Sequence, residues 1–248
     1  LDGPSGAGKS TIAKAVAKKL EYVYVDTGAM YRSIAYYVIS KGADLSDPEQ
    51  IKPLLADISI KLCYTEAGQR VMLNDEDVSD KIRTPEISMG ASKVSAIPEV
   101  REFLLELQKN IAKENNIIMD GRDIGTVVLP NADVKIFLTA APEARAERRF
   151  KELQEKGDKS TYDEVLQDII QRDYNDTHRE IAPLKKADDA VEVDSTELTL
   201  EESVEAIYKV ITDKTKKKER KIKEIMPVRP VKKEHRLGHF HMFWYTVL

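Results

Sequence analysis

Apolar residues at Ile12, Ala13, Val16, Ala17 and Leu20 recur every three to four positions, and the spacing predicts a helix from Ser10 to Leu20. The short β-rich run Tyr22 to Val25 then predicts a strand ending at Asp26, and Ala29 to Ser40 reads as helix again. Strand, loop, helix, strand, helix is the opening of a wound α/β fold. Buried strands are expected again at Asn116–Met119, Asp133–Leu138 and Ala190–Val193, each ending where polar residues begin. Between them the pattern predicts helices at Thr84–Ser95, from Pro98 with Val100, Phe103, Leu104, Leu107 and Ile111 on one face, at Pro142–Lys156, at Thr161–Tyr174 and at Glu201–Ile211.

One stretch departs from this rhythm. After a short helix from Asp47-Pro48 to about Ala56, the runs Ile58–Leu62, Val71–Leu73 and Asp77-Val78 read as short strands. Glu66-Ala67-Gly68 and Asn74-Asp75 supply turns. A small antiparallel sheet is therefore expected at residues 57–82, inserted into a parallel α/β frame.

Charge separates the C-terminal tail from the body. The net charge of −4 combines +7 from Thr212 onward with −11 over residues 1–211. An acidic body argues against a general nucleic-acid binder. No apolar run approaches a membrane span, and the single cysteine, Cys63, excludes an internal disulfide framework. A cytoplasmic protein is expected. The stretch Lys214 to Lys221, followed by Pro227 and Pro230, reads as a charged linker. Beyond it stand His235, His239 and His241 with Phe240, Phe243, Trp244 and Tyr245. Metal binding, a membrane surface, a disordered extension and the start of a further domain all stay open there. At the other end, Leu1-Asp2 precedes a loop that normally follows a buried strand, so a few apolar residues are expected before Leu1.

That loop carries the most specific chemistry. Gly3-Pro4-Ser5-Gly6-Ala7-Gly8-Lys9-Ser10 fits G-x-x-x-x-G-K-[ST] without mismatch, and Thr11 follows. Glycines let the backbone turn several N–H groups toward one anion, and the following helix adds its positive end. Lys9 brings a charge to the β/γ-phosphates, and Ser10 supplies a hydroxyl to Mg²⁺. A nucleoside triphosphate is thus expected. Thr27 and Arg32, around a helix start, suit a second, smaller anion. In Asp120-Gly121-Arg122-Asp123-Ile124-Gly125-Thr126, Arg122 can grip phosphate and Asp123 can accept from an amino group or a sugar hydroxyl. Arg145, Arg148, Arg149, Arg172 and Arg179 add the cations that phosphoryl transfer needs.

Together with Ile82-Arg83-Thr84-Pro85-Glu86 and the run from Arg172-Asp173 to Ala182-Pro183-Leu184, these stretches resemble bacterial cytidylate kinases of the nucleoside monophosphate kinase superfamily. The resemblance covers nearly all of residues 1–211. It implies a P-loop fold whose small inserted sheet lies in the monophosphate-binding region, with a helical lid at about residues 145–160. It implies transfer of the ATP γ-phosphoryl group to CMP or dCMP, with Mg²⁺, in pyrimidine nucleotide metabolism. By position, Thr27, Arg32, Ser92, Arg101, Arg122, Asp123, Arg172, Asp176 and Arg179 would line the monophosphate site. Ser92 and Asp123 would read the cytosine edge, and Asp176 would contact the sugar. Arg122, Arg148 and Arg172 would join Lys9 as catalytic cations, and Arg149 would bind on the ATP side. The family often has serine where Thr27 stands; the hydroxyl is the same. Such a site is completed within one chain, so a monomer is expected, and some cytidylate kinases are fused to a further domain. A kinase for UMP or AMP is the nearest alternative. A guanine-nucleotide switch would need an N-K-x-D reader, which the sequence lacks.

Overall fold

The computed structural model describes residues 1–65, 68–155, 157–225 and 245–246. In chain order the elements are α1 (Lys9–Leu20), β1 (Val23–Asp26), α2 (Thr27–Ser40), α3 (Pro48–Leu54), β2 (Ile60–Thr65), β3 (Gly68–Leu73), β4 (Glu76–Asp77), α4 (Pro85–Val94) and α5 (Pro98–Glu114). There follow β5 (Ile117–Asp120), β6 (Ile136–Thr139), α6 (Pro142–Glu155), α7 (Tyr162–His178), β7 (Val191–Asp194), α8 (Leu200–Ile225) and β8 (Tyr245–Thr246).

Two parallel pairs, β1-β5 and β6-β7, form the main layer. Leu1 and Asp2 join them. The Gly121 amide donates to the Leu1 carbonyl at 3.0 Å, and the Leu138 amide donates to the Asp2 carbonyl at 2.8 Å. Asp2 bridges in parallel to both Gly121 and Phe137. The strand pattern buries both faces, as a helix-covered parallel layer requires. Val25 and Met119 face one core with Met30, Ile34, Leu104 and Ile111. Their neighbours Tyr24 and Ile118 face the other with Ile12, Val16, Leu138 and Ile207.

The inserted sheet is present as expected. β2 and β3 pair antiparallel from Ile60↔Leu73 to Thr65↔Gly68, and β4 pairs with β3. Asn74 and Asp75, both at positive φ, make the turn between β3 and β4. Ile60, Leu62, Val71 and Leu73 bury against the α2–α5 core, so the insert is fused to the frame. Of the expected turn before it, Glu66 and Ala67 lie outside the described residues.

α6 and α7 form a helical hairpin with a small core of Ala146, Val165 and Ile169, with Phe150 set edge-on to Tyr162. The Thr161/Glu164 capping box starts α7. α7 runs on to His178, beyond the expected end at Tyr174, and so carries Asp176 on a helix. A larger correction concerns the charged stretch after Ile211. Predicted as a linker, it instead continues α8 to Ile225. Lys, Glu and Arg are good helix formers, and neither Gly nor Pro occurs before Pro227. The histidines and aromatics from His235 to Trp244 lie outside the described residues.

Candidate active site

The phosphate loop leaves the sheet at Gly3. A Cβ at that residue would lie 2.0 Å from the Leu138 carbonyl oxygen, with φ at +151°, so only glycine fits against β6. Gly8, left-handed at φ 82°, is the N-cap of α1 and brings no side chain to it. By contrast α2, α4 and α7 are capped by Asp26, Thr84 and Thr161. The first-turn amides of α1 are therefore open to an anion. Gly6, Gly8, Lys9 and Ser10 line a cleft of about 410 Å³. Lys9 is buried, and its ammonium donates to the Pro4 carbonyl at 2.5 Å. Burial, and then the charge of Arg122, hold its pKa well below the ordinary lysine value. Ser10 Oγ donates to Asp120 Oδ2 at 2.8 Å, and the Tyr24 hydroxyl donates to Asp120 Oδ1 at 2.9 Å. Burial and the nearby Asp26 raise the Asp120 pKa.

Across the cleft, carboxylates hold a set of arginines in place. Asp26 ends β1, caps Ala29 N with Oδ1 at 2.9 Å and accepts from Arg32 Nη2 with Oδ2 at 2.9 Å. Burial opposes ionisation of Asp26, yet Arg32, the Ala29 amide, Arg83 and Lys14 leave its pKa lowered. Thr27 Oγ1 donates to the Asp120 carbonyl at 2.8 Å. Asp123 pairs with Arg101 and accepts from Arg179 Nη2 at 3.4 Å. Asp176 accepts from Arg122 Nε at 2.7 Å and from Ser92 Oγ at 3.5 Å. Burial would raise the Asp176 pKa, but Arg122, together with Arg179 and Arg172, outweighs it and the pKa is lowered.

Arg172 is the exception. Its Nε is buried without a hydrogen-bond partner, and among the described residues no carboxylate pairs with it. Burial and the charge of Arg122 push its pKa down to about 10 against the charge of Asp176; Arg32 and Arg149 also lower it. Arg172 is thus a largely buried cation held by no direct ion pair among the described residues. A second cavity of about 560 Å³ lies beneath Leu1, lined by Ile117, Met119, Ile136, Ile207 and Ile211. It is larger, but its walls are mostly apolar, so the chemistry belongs to the polar cleft.

The cytidylate kinase family model matches residues 1–213. The chain belongs to the cytidylate kinase family. It is 50% identical over 211 residues to a cytidylate kinase of Carboxydothermus hydrogenoformans, covering 85% of this chain and 95% of that one. With the cytidylate kinase of Caldicellulosiruptor saccharolyticus it shares 52% identity over 215 residues, again 85% of this chain and 95% of the other. With that of Ligilactobacillus salivarius it shares 50% over 214 residues, 86% of this chain and 96% of the other.

On this cytidylate kinase frame, the residues expected at the site line the cleft, except for Gly3, Pro4, Ala7 and Arg148. The first three support the loop from behind; Ala7 is fully buried in the α1–α8 core. Arg148 is a correction. Its Nη2 donates to the carbonyls of Ser195 at 2.5 Å and Thr196 at 3.1 Å, so the guanidinium ties α6 to the loop after β7. It lies one position before Arg149, which does line the cleft, and 100° per residue turns the two to different faces.

Arg145 also differs from its sequence reading. Expected among the cations around the migrating group, it is 2% exposed and fully engaged. Nε donates to the Ala140 carbonyl at 2.8 Å, Nη1 to the Ser5 carbonyl at 2.9 Å, and the guanidinium grips Asp173 at 3.0 and 2.5 Å. It locks the phosphate loop to α6 and α7. Sequence reasoning gave Asp120 no role. Its signal was available, since a carboxylate directly after an apolar strand sits at the sheet edge where ligands bind.

Proposed function

We propose that this chain transfers the γ-phosphoryl group of ATP to CMP or dCMP, giving ADP and CDP or dCDP. The observation that carries the reading is one cleft holding two anion cradles. The uncapped start of α1 with Lys9 faces one; Arg32, Arg101, Arg122 and Arg179 build the other, with the unpaired Arg172 among them. A binding module for one nucleotide has no use for the second cradle. Family membership and the cytidylate kinases named above support cytidine as the acceptor base.

In the reaction an oxygen of the acceptor monophosphate forms a bond to the γ-phosphorus. The β–γ bridging P–O bond breaks, and its electron pair stays on the ADP oxygen. The attacking oxygen is already anionic at neutral pH, so no strong general base is required. Lys9, Arg122 and Arg172 neutralise charge on the transferring group. Ser92 and Asp123 read the cytosine edge, and Asp176 contacts the sugar. The α6–α7 hairpin, with Arg149, is the lid over ATP that excludes water. Ser10 Oγ and Asp120 Oδ2, two hard oxygens brought together at the loop, are the groups that would hold Mg²⁺. Bound there, it would supply positive charge to the phosphates of ATP.

In this reading the kinase domain spans residues 1–211, with the insert at 57–82, and a basic tail at 212–248 follows, its first part continuing α8. It works as a cytoplasmic monomer, since every group invoked lies in one chain. No helix among the described residues is long and apolar enough to cross a membrane. Initial rates of ADP formation with CMP, dCMP, UMP and AMP test the reading. CMP and dCMP are expected to be turned over far faster than the others. Preference for UMP or AMP, or equal ATP consumption without any acceptor, would overturn it.

A further inference from the structure

The inserted sheet reaches the acceptor cradle through one side chain that does not itself line the cleft. Among the described residues β1 lies at the edge of the main sheet and pairs with β5 alone. The Val23 amide points toward β5, donating to the Asn116 carbonyl at 2.9 Å. Amide direction alternates along a strand, so the Asp26 amide points away from β5, off the sheet edge. There it donates to Gln69 Oε1 at 3.1 Å. Gln69 is the second residue of β3 and stands opposite Tyr64 in the hairpin. Its neighbour Arg70 is held by Asp77 at 2.9 Å and Asp80 at 2.9 Å. The hairpin arm that presents the amide is thus fixed from its own side.

What Gln69 holds is the pivot of the acceptor site. Asp26 is 4% exposed, ends β1 and caps α2. Its two carboxylate oxygens hold the start of α2 and the Arg32 guanidinium, and Thr27 is the next residue. Among the described residues Arg32 Nε has no hydrogen-bond partner, so the aim of Arg32 rests on its bond to Asp26.

We propose that Gln69 is a positioning residue for the acceptor nucleotide: by fixing the Asp26 backbone it sets the aim of Arg32 and Thr27, and so couples the inserted sheet to acceptor binding. This rests on the acceptor-site reading above. Gln69→Leu removes the accepting oxygen and keeps most of the volume. Gln69→Glu keeps an accepting oxygen at the same reach.

The test is steady-state kinetics on the full chain, varying CMP at saturating ATP and ATP at saturating CMP, with melting temperatures for each variant. Gln69→Leu is expected to raise the KM for CMP about three- to tenfold, the range that one hydrogen bond supports. The KM for ATP and the Tm should stay near wild type, and Gln69→Glu should restore most of the CMP affinity. Arg32→Gln serves as the control for the acceptor reading and should also raise the KM for CMP. If Arg32→Gln raises it and Gln69→Leu does not, the coupling is refuted while the acceptor site stands. If Gln69→Leu raises both KM values together and lowers the Tm, Gln69 is structural only and the coupling is refuted. If Arg32→Gln leaves the KM for CMP unchanged, the acceptor-site reading falls and the coupling with it.

Discussion

Arg172→Met is expected to stabilise the free protein while disabling it. The Arg172 guanidinium is mostly buried, has no ion-pair partner among the described residues, and sits near the like charges of Arg122, Arg32 and Arg149, which Asp176 offsets only in part. Its pKa falls from the ordinary guanidinium range to about 10. Holding the charge there costs on the order of 3 kcal/mol. Relaxation and water entry reduce what substitution recovers, so a gain of about 1–2 kcal/mol is expected. For a domain of this size that is a Tm rise of roughly 2–8 °C. The methionine stem replaces the aliphatic part of arginine, so little packing is lost.

The pH dependence sharpens the claim. A base whose pKa falls on folding destabilises the fold fully wherever both states are charged, which covers all pH values below about 10. Relief comes only as pH rises through about 10 toward the unfolded value. The gain on substitution should therefore be flat from pH 6 to pH 9. In the reaction the same charge faces developing negative charge in a water-poor cleft, where one such donor is worth about 10²–10³ in rate. Calorimetry without nucleotide and a coupled assay for ADP measure the two sides. A variant that melts lower than wild type, or that keeps more than about a tenth of kcat/KM, would refute the view of Arg172 as a charge held in reserve for the substrates.

Three further outcomes follow from the geometry. Gly3→Ala should lower the Tm by more than about 5 °C, because its Cβ would fall 2.0 Å from the Leu138 carbonyl and either β6 or the loop must shift; an unchanged melt would contradict the close approach. Asp123→Asn should raise the KM for CMP by about tenfold with the KM for ATP within about twofold, and also lower the Tm, because Arg101 and Arg179 lose the charge between them. An equal rise for both substrates would contradict base reading by Asp123. Chelation with EDTA should abolish turnover, and added Mg²⁺ should restore it. The melt of the nucleotide-free protein should not move, since the site at Ser10 and Asp120 is completed by substrate phosphates.

What could be read from the chain divides by the range of the interaction. The phosphate loop is local: its glycines, Lys9 and Ser10 lie within eight residues, and the constraint at each is a backbone angle or a short contact. The hairpins and helices are nearly as local, which is why the insert at 57–82 and the capped starts of α4 and α7 agree with their sequence signals. Arginine roles are not local. Arg145, Arg148 and Arg149 are near neighbours on one helix and share one residue type. Only the placement of Ser5 and Asp173 makes the first a clamp, and only the loop after β7 draws the second away from the cleft. Gln69 shows the limit most plainly. A glutamine in a small strand carries no signal of its own; its effect depends on β1 being an edge strand whose last amide points outward. Edge position is a property of the whole topology, settled by which strand pairs with β5. The residues that touch phosphate can therefore be named from motifs, whereas the residues that aim them emerge only from the assembled sheet.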